Sequence, residues 1–322
     1  MNKEKLVELE NIIIRDYNNI AGIIVLKNGQ NIYQNYFNEC THDTAIHIFS
    51  VTKSIISILI GIAIDKGFIE GINQNVLDYF PDYIIKRGEK TIQNITIKNM
   101  LTMTSPYKYR SAPYTKYFTS NDWVKSALDL LGGKSLIGEF RYTPLIGPDI
   151  LSGILIKATG QSVLDFARKY LFSPLEINVK NNVIFKDKDE QFAFLKAKNI
   201  SGWVSDPKGT NTAGWGLTLT AMDMAKIGQL YLDGGNWKRK QIVSDGWVNE
   251  STKEHSRWEE HNLSFGYLWW TKILNGYAAM GDSGNVIYIN PNKKMIVSIA
   301  SLYKPTAKDR VELIKKYIEQ IL

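Results

Sequence analysis

Ile46-His47-Ile48-Phe49-Ser50-Val51-Thr52-Lys53-Ser54-Ile55-Ile56-Ser57-Ile58-Leu59-Ile60-Gly61 carries a long apolar run that begins just past a serine. Read as a helix opening at Ser50, it sets Lys53 three residues on, on the same face as the serine. A helix N-terminus favours developing negative charge, and its free N–H groups can serve as oxyanion donors. An amine beside a hydroxyl can take its proton once burial or neighbouring charge lowers the lysine pKa. The four-letter pattern alone proves little, because serine is a favoured cap and Lys53 could be a surface residue. It also occurs at Ser105 and Lys108, Ser205 and Lys208, and Ser301 and Lys304. Context separates them: only Ser50 precedes a long apolar helix.

Outward from this stretch, Ala21–Leu26 and Gln30–Phe37 are β-prone runs about an Asn28-Gly29 turn, a hairpin signal. At the far end Gly276–Gly281, Asn285–Ile289 and Met295–Ser301 read as strands. Residues 3–17 form an amphipathic helix through Leu6, Leu9, Ile12, Ile13 and Tyr17. The chain closes on another, with Thr306 as its expected N-cap and Val311, Leu313, Ile314, Tyr317, Ile318 and Ile321 on one face. The middle is helical patches joined by long polar connections. Strands at both termini and helices between predict an α+β fold: one antiparallel sheet built from both chain ends, flanked by terminal helices, with an inserted mainly helical region. The boundaries read as a sheet part at 1–65 and 200–322 and a helical part at 66–199, within one catalytic unit spanning 1–322.

Composition narrows the function classes. With 44% hydrophobic and 22% charged residues, the 322-residue chain is globular rather than disordered. Its single cysteine, Cys40, excludes a disulfide scaffold and a thiolate metal cluster. The net charge of +7 comes from 39 basic against 32 acidic residues, mostly interspersed, which reads as a solvated surface and not as a nucleic-acid stripe. Glu8 and Glu10 break any leader-like apolar run near the start, and Ile55–Ile64 is too short to span a membrane. The expectation is a cytoplasmic protein with a small-molecule substrate, no nucleic-acid partner, no membrane span, no metal and no cofactor. Neither composition nor spacing gives an oligomeric state.

Phe49-Ser50-Val51-Thr52-Lys53-Ser54 resembles the active-site motif of the serine β-lactamase and penicillin-binding protein superfamily, in the branch of class C β-lactamases, esterases and nylon-oligomer hydrolases. Further similar segments follow in order: Phe140-Arg141-Tyr142, Leu151–Leu155 with Thr159-Gly160, Phe172-Ser173-Pro174-Leu175, Gly214-Trp215-Gly216-Leu217, Thr220–Ala225 and Phe265–Trp270. The resemblance covers roughly residues 20 to 302 and implies a β-lactamase-like fold with Ser50 as nucleophile. It also implies Lys53 and Tyr142 as the proton carriers. A phenol with an ordinary pKa of ~10 must sit near a cation to act as a base, and Lys53 would be that cation.

Two departures bear on substrate. The second motif continues as Tyr142-Thr143-Pro144, and Pro144 has neither a side-chain amide nor an N–H to bind a substrate amide. Where relatives carry Lys-Thr-Gly or His-x-Gly, this chain has Ala279-Met280-Gly281, with no cation for a β-lactam carboxylate. The resemblance places Ala279, Met280, Gly281 and Pro144 at the substrate, and the backbone N–H groups of Ser50 and Asp282 at the oxyanion. Together these imply a serine hydrolase acting through an acyl-enzyme on small esters, amides or lactams, with esters and amides favoured over β-lactam drugs. The alternative is a binding or sensor module on the same fold, slow or inert. Gly281-Asp282-Ser283-Gly284 also mimics a trypsin-like nucleophile motif, but a turn between strands explains it better.

Overall fold

The computed structural model describes residues 3–320. Helix α1 (Lys3–Asp16) leads into strands β1 (Ile20–Lys27) and β2 (Gln30–Tyr36), and α2 (Val51–Asp65) follows. The stretch from 66 to 199 holds short helices and long connections; its longest helix is α3 (Asp149–Thr159). Helix α4 (Ala221–Leu232) returns the chain to the sheet. The remaining strands of the main sheet are β3 (Ser256–Trp258), β4 (Leu263–Phe265), β5 (Trp270–Ile273), β6 (Gly276–Gly281), β7 (Asn285–Asn290) and β8 (Met295–Ser301).

These eight strands form one antiparallel sheet in the order β2-β1-β8-β7-β6-β5-β4-β3. The two chain ends meet where β1 pairs with β8, Ile23 opposite Ile299 and Val25 opposite Val297. Both Asn28 and Gly29 adopt positive φ, 50° and 74°, as a two-residue turn matched to the strand twist requires. β1, β7 and β8 are buried along nearly their whole length, so they read as continuous apolar runs and not as alternating ones. Helix α4 covers β8, β1 and β7 on one side.

Every residue of α2 from Val51 to Ala63 is buried. A helix apolar all round belongs inside the protein, and this one packs between α3 and the β6–β7 part of the sheet. Ile55, Ile56, Ile58, Leu59, Ile60 and Ile62 are fully buried, a contribution of about 1.5–3 kcal/mol apiece. The Ser54 hydroxyl donates to Leu268 O at 2.7 Å and ties the helix to the β4–β5 connection. No helix among the described residues is long and apolar enough to cross a membrane.

The C-terminal helix starts later than its sequence suggests. Asp309, not Thr306, is the N-cap of α5 (Arg310–Leu313), its carboxylate accepting from Val311 N at 2.8 Å. Aspartate is the stronger cap, and starting there buries Arg310. The helix then continues in wider π turns over Ile314–Ile318; Ile321 lies outside the described residues.

Candidate active site

The turn before α2 aims Ser50. Phe49 holds φ at 50°, a conformation that costs a non-glycine residue roughly 1–2 kcal/mol. Thr52 fixes it twice, through its hydroxyl (2.7 Å) and its N–H (3.1 Å), both donating to Phe49 O. The Phe49 ring packs 4.1 Å from His47. His47 accepts the Gly216 N–H on Nε2 at 2.8 Å, and burial pushes its pKa down to about 3. It is therefore a neutral structural acceptor that ties the turn to 215–217.

Ser50 heads the helix with φ −69° and ψ −6°, yet its hydroxyl makes no capping bond. It instead accepts from Lys53 Nζ at 2.9 Å. Lys53 is buried, and Nζ also donates to Pro144 O at 2.7 Å and Gly214 O at 2.8 Å. Burial lowers its pKa to about 7, while the negative charges of Asp282 and Asp149 oppose that fall. The other Ser-x-x-Lys pairs are differently engaged. Ser105 donates to Met100 Sδ, Lys208 pairs with Asp122, and Lys304 Nζ donates to Asn18.

Tyr142 joins the pair: Lys53 Nζ lies 5.4 Å from its ring centroid, and Ser50 is close enough to its phenol to favour the phenolate. The cation does not hold the phenol down as expected from the sequence. Burial pushes the Tyr142 pKa up to about 12, and the Ser50 contact opposes this only in part. Desolvation penalises the phenolate more than the neighbouring amine, itself poorly charged, can repay. The Tyr142 ring stacks on Trp258, with centroids 5.7 Å apart at 14°, and also contacts Phe265 and Trp270. A cavity of about 680 Å³ opens beside it, lined by 138–142 and 256–260.

The end of β6 closes the other side. An added Cβ at Gly281 would stand 2.5 Å from Ile48 O and 3.0 Å from Ser50 N, so only glycine lets the strand approach the nucleophile turn. Asp282 follows at once. Neither the Ser50 nor the Asp282 N–H donates to another described residue. Met280 and Gly281 are partly exposed, whereas Ala279 is fully buried. Pro144 is partly exposed and contributes its carbonyl to Lys53. Ser283 occupies the β6–β7 turn at φ 64°, its hydroxyl bonded to the Lys304 backbone.

The sequence reading missed the two carbonyls, the aromatic wall and Asp149. The segments Gly214–Leu217 and Phe265–Trp270 were visible as family text, but nothing in them marked a carbonyl acceptor or a wall beside Tyr142.

A family model described as beta-lactamase matches residues 13–320. The 6-aminohexanoate-dimer hydrolase of Paenarthrobacter ureafaciens is 24% identical over 246 residues, covering 73% of this chain and 57% of that protein. The chain spans little more than half the length of two of the curated relatives it matches, 57% and 56%. Among solved structures, a penicillin-binding protein homologue from Caulobacter crescentus superposes with a TM-score of 0.75 at 15% identity, covering 99% of this chain and 97% of that one. A family VIII carboxylesterase superposes with a TM-score of 0.71 at 15% identity, covering 98% and 96%. At such identities the two superpositions establish the fold.

Proposed function

The chain belongs to the β-lactamase family, and from that premise we propose that it is a serine hydrolase acting through an acyl-enzyme on small esters or amides. The observation that carries the reading is the 2.9 Å contact between Lys53 Nζ and a Ser50 hydroxyl that caps nothing. Pro144 O and Gly214 O can only accept, so they hold two N–H bonds of Lys53. The remaining tetrahedral position on Nζ faces Ser50 Oγ. It carries a third N–H in the ammonium form and the lone pair in the amine form.

With the amine free, its lone pair takes the Ser50 proton as Oγ bonds to the substrate carbonyl carbon. The carbonyl π electrons move onto oxygen, and the N–H groups of Ser50 and Asp282 stabilise that charge. Removing one such donor commonly costs 10²–10³ in rate. Collapse of the intermediate expels the alcohol or amine, which receives the Lys53 proton through Tyr142. A phenol with its pKa near 12 stays neutral and can accept one proton while passing on another. Water, deprotonated by the same amine, then cleaves the acyl-enzyme to the acid and restores Ser50.

One relative is named for hydrolysing a 6-aminohexanoate dimer and one structural neighbour is a carboxylesterase. Both names denote acyl transfer from a carbonyl, which supports esters and amides as the substrate class. The test is steady-state hydrolysis of p-nitrophenyl butyrate. Continuous turnover by the wild type and none above background in Ser50→Ala is expected. A single burst without turnover would favour the slow binding module, and equal rates in both proteins would refute the proposal.

A further inference from the structure

The carboxyl of Asp149 takes no part in the steps above, yet it sits one peptide away from the amine that does. It is the first residue of α3 and only 2% exposed. A buried carboxylate needs donors around it, and these are present. The Tyr117 hydroxyl donates to Oδ2 at 2.7 Å and the Ala213 N–H donates to Oδ1 at 2.7 Å, and the adjacent Gly214 N–H also favours the charged form. The carboxylate thus grips the Ala213–Gly214 backbone, and Gly214 O receives a Lys53 N–H at 2.8 Å. The second acceptor, Pro144 O, lies against the same segment. A Cβ added to Gly214 would stand 2.6 Å from it. Both carbonyls that orient Lys53 are therefore packed together and held on one side by Asp149.

Resting on the serine-hydrolase reading, we propose that Asp149 is the positioning residue for Lys53. It fixes the carbonyl that aims the amine at Ser50, and it places a buried negative charge behind that amine. The groups facing Lys53 are Asp149 from the start of α3, Asp282 from the end of β6, the hydroxyl of Ser50 and the ring of Tyr142. Asp149 in turn faces Tyr117 and, more weakly, Asp206. Burial raises the Asp149 pKa to about 7, against the Tyr117 hydroxyl and the Ala213 and Gly214 N–H groups, which favour its charged form. The charge behind Lys53 therefore depends on those donors, the Tyr117 hydroxyl above all.

The sign of the effect follows. A carboxylate favours the ammonium form of Lys53, so removing the charge while keeping the shape should free the amine at lower pH. The experiment is the rate of fluorophosphonate labelling of the full chain across about pH 5–9, with thermal melts on each variant. For the wild type, the rate should rise along an acid limb centred near pH 7. In Asp149→Asn the limb should move down by about one pH unit, and the plateau should fall roughly ten-fold as Gly214 loosens. Tyr117→Phe, which removes one donor and leaves the carboxyl, should shift the limb the same way by less; it decides the matter alone if Asp149→Asn does not fold. A purely structural Asp149 would lower the plateau and leave the midpoint unmoved, which overturns the proposal while the Ser50 reading stands. Wild-type labelling that is absent, or retained in Ser50→Ala, overturns both.

Discussion

Lys53 can take a proton only as the free amine, and burial brings its pKa down to about 7 against the charges of Asp282 and Asp149. Ester hydrolysis should therefore show kcat/KM rising with pH through a limb near 7 and levelling above it; a limb near 10 would mean an ordinary surface-like ammonium. Tyr142→Phe should cost 10²–10⁴ in kcat without moving that limb, because the phenol stays neutral throughout. Substrate choice also belongs to single residues. Ala279 offers no cation, the Pro144 carbonyl is taken by Lys53, Lys108 pairs with Glu89, and Arg141 donates to Tyr107 O and Tyr109 O. A missing charge-assisted contact at about 1.5–3 kcal/mol and a missing neutral amide contact at about 0.5–1.5 kcal/mol predict β-lactam hydrolysis roughly two to three orders of magnitude below a dedicated enzyme. A small ester needs neither contact. Nitrocefin turnover at about 10⁶ M⁻¹s⁻¹ or more would contradict this. The Ser50–Lys53 pair was legible in sequence because its partners are one helical turn apart. Tyr142 became legible only through the resemblance. Pro144 O and Gly214 O were not, since backbone carbonyls leave no residue-type signal and arrive from 91 and 161 positions away.

The β6–β7 turn depends on Gly281 and on a hydrogen-bonded network beneath it. Gly281 must lack a side chain for β6 to reach the Ser50 turn, so Gly281→Ala should leave the fold near native and lower kcat by 10² or more, read as activity against the melting temperature. Beneath the turn, Asn19 donates to Ser283 O and Leu302 O, both at 2.8 Å, and accepts from buried Arg310 at 2.6 Å. Burial holds the Arg310 pKa down to about 10, a sign of how much its charge needs that acceptor. Asn19→Ala should therefore destabilise the protein by about 3 kcal/mol or more, measurable as a lower urea midpoint. The hairpin and the three C-terminal strands were legible because Asn28-Gly29 and β-branched runs are local signals. The helix start was not, because Thr306 and Asp309 are both plausible caps and only the burial of Arg310 decides between them.

At the scale of the whole molecule, the candidate site is assembled from distant parts of the chain. Lys53 comes from α2, Pro144 and Asp149 from the stretch between 66 and 199, and Gly214 and Asp282 from the segments beyond it. No part of the chain holds the amine alone. If the 322 residues act as one catalytic unit, labelling competence and tryptophan fluorescence should be lost at the same urea concentration. Labelling lost well before fluorescence would mean that the 66–199 region opens on its own. The sheet built from both ends was legible in the placement of its strands, whereas its strand order depends on which apolar runs pair, a choice made by packing on α2 and α4.

Ser50 should become covalently acylated with Lys53 as its base. Intact-mass analysis after fluorophosphonate treatment, followed by peptide mapping, tests it most directly. One adduct per chain is expected, mapped to Ser50, absent in Ser50→Ala and slowed at least about 10³-fold in Lys53→Ala. An adduct on another residue, or labelling undiminished in Ser50→Ala, would contradict it.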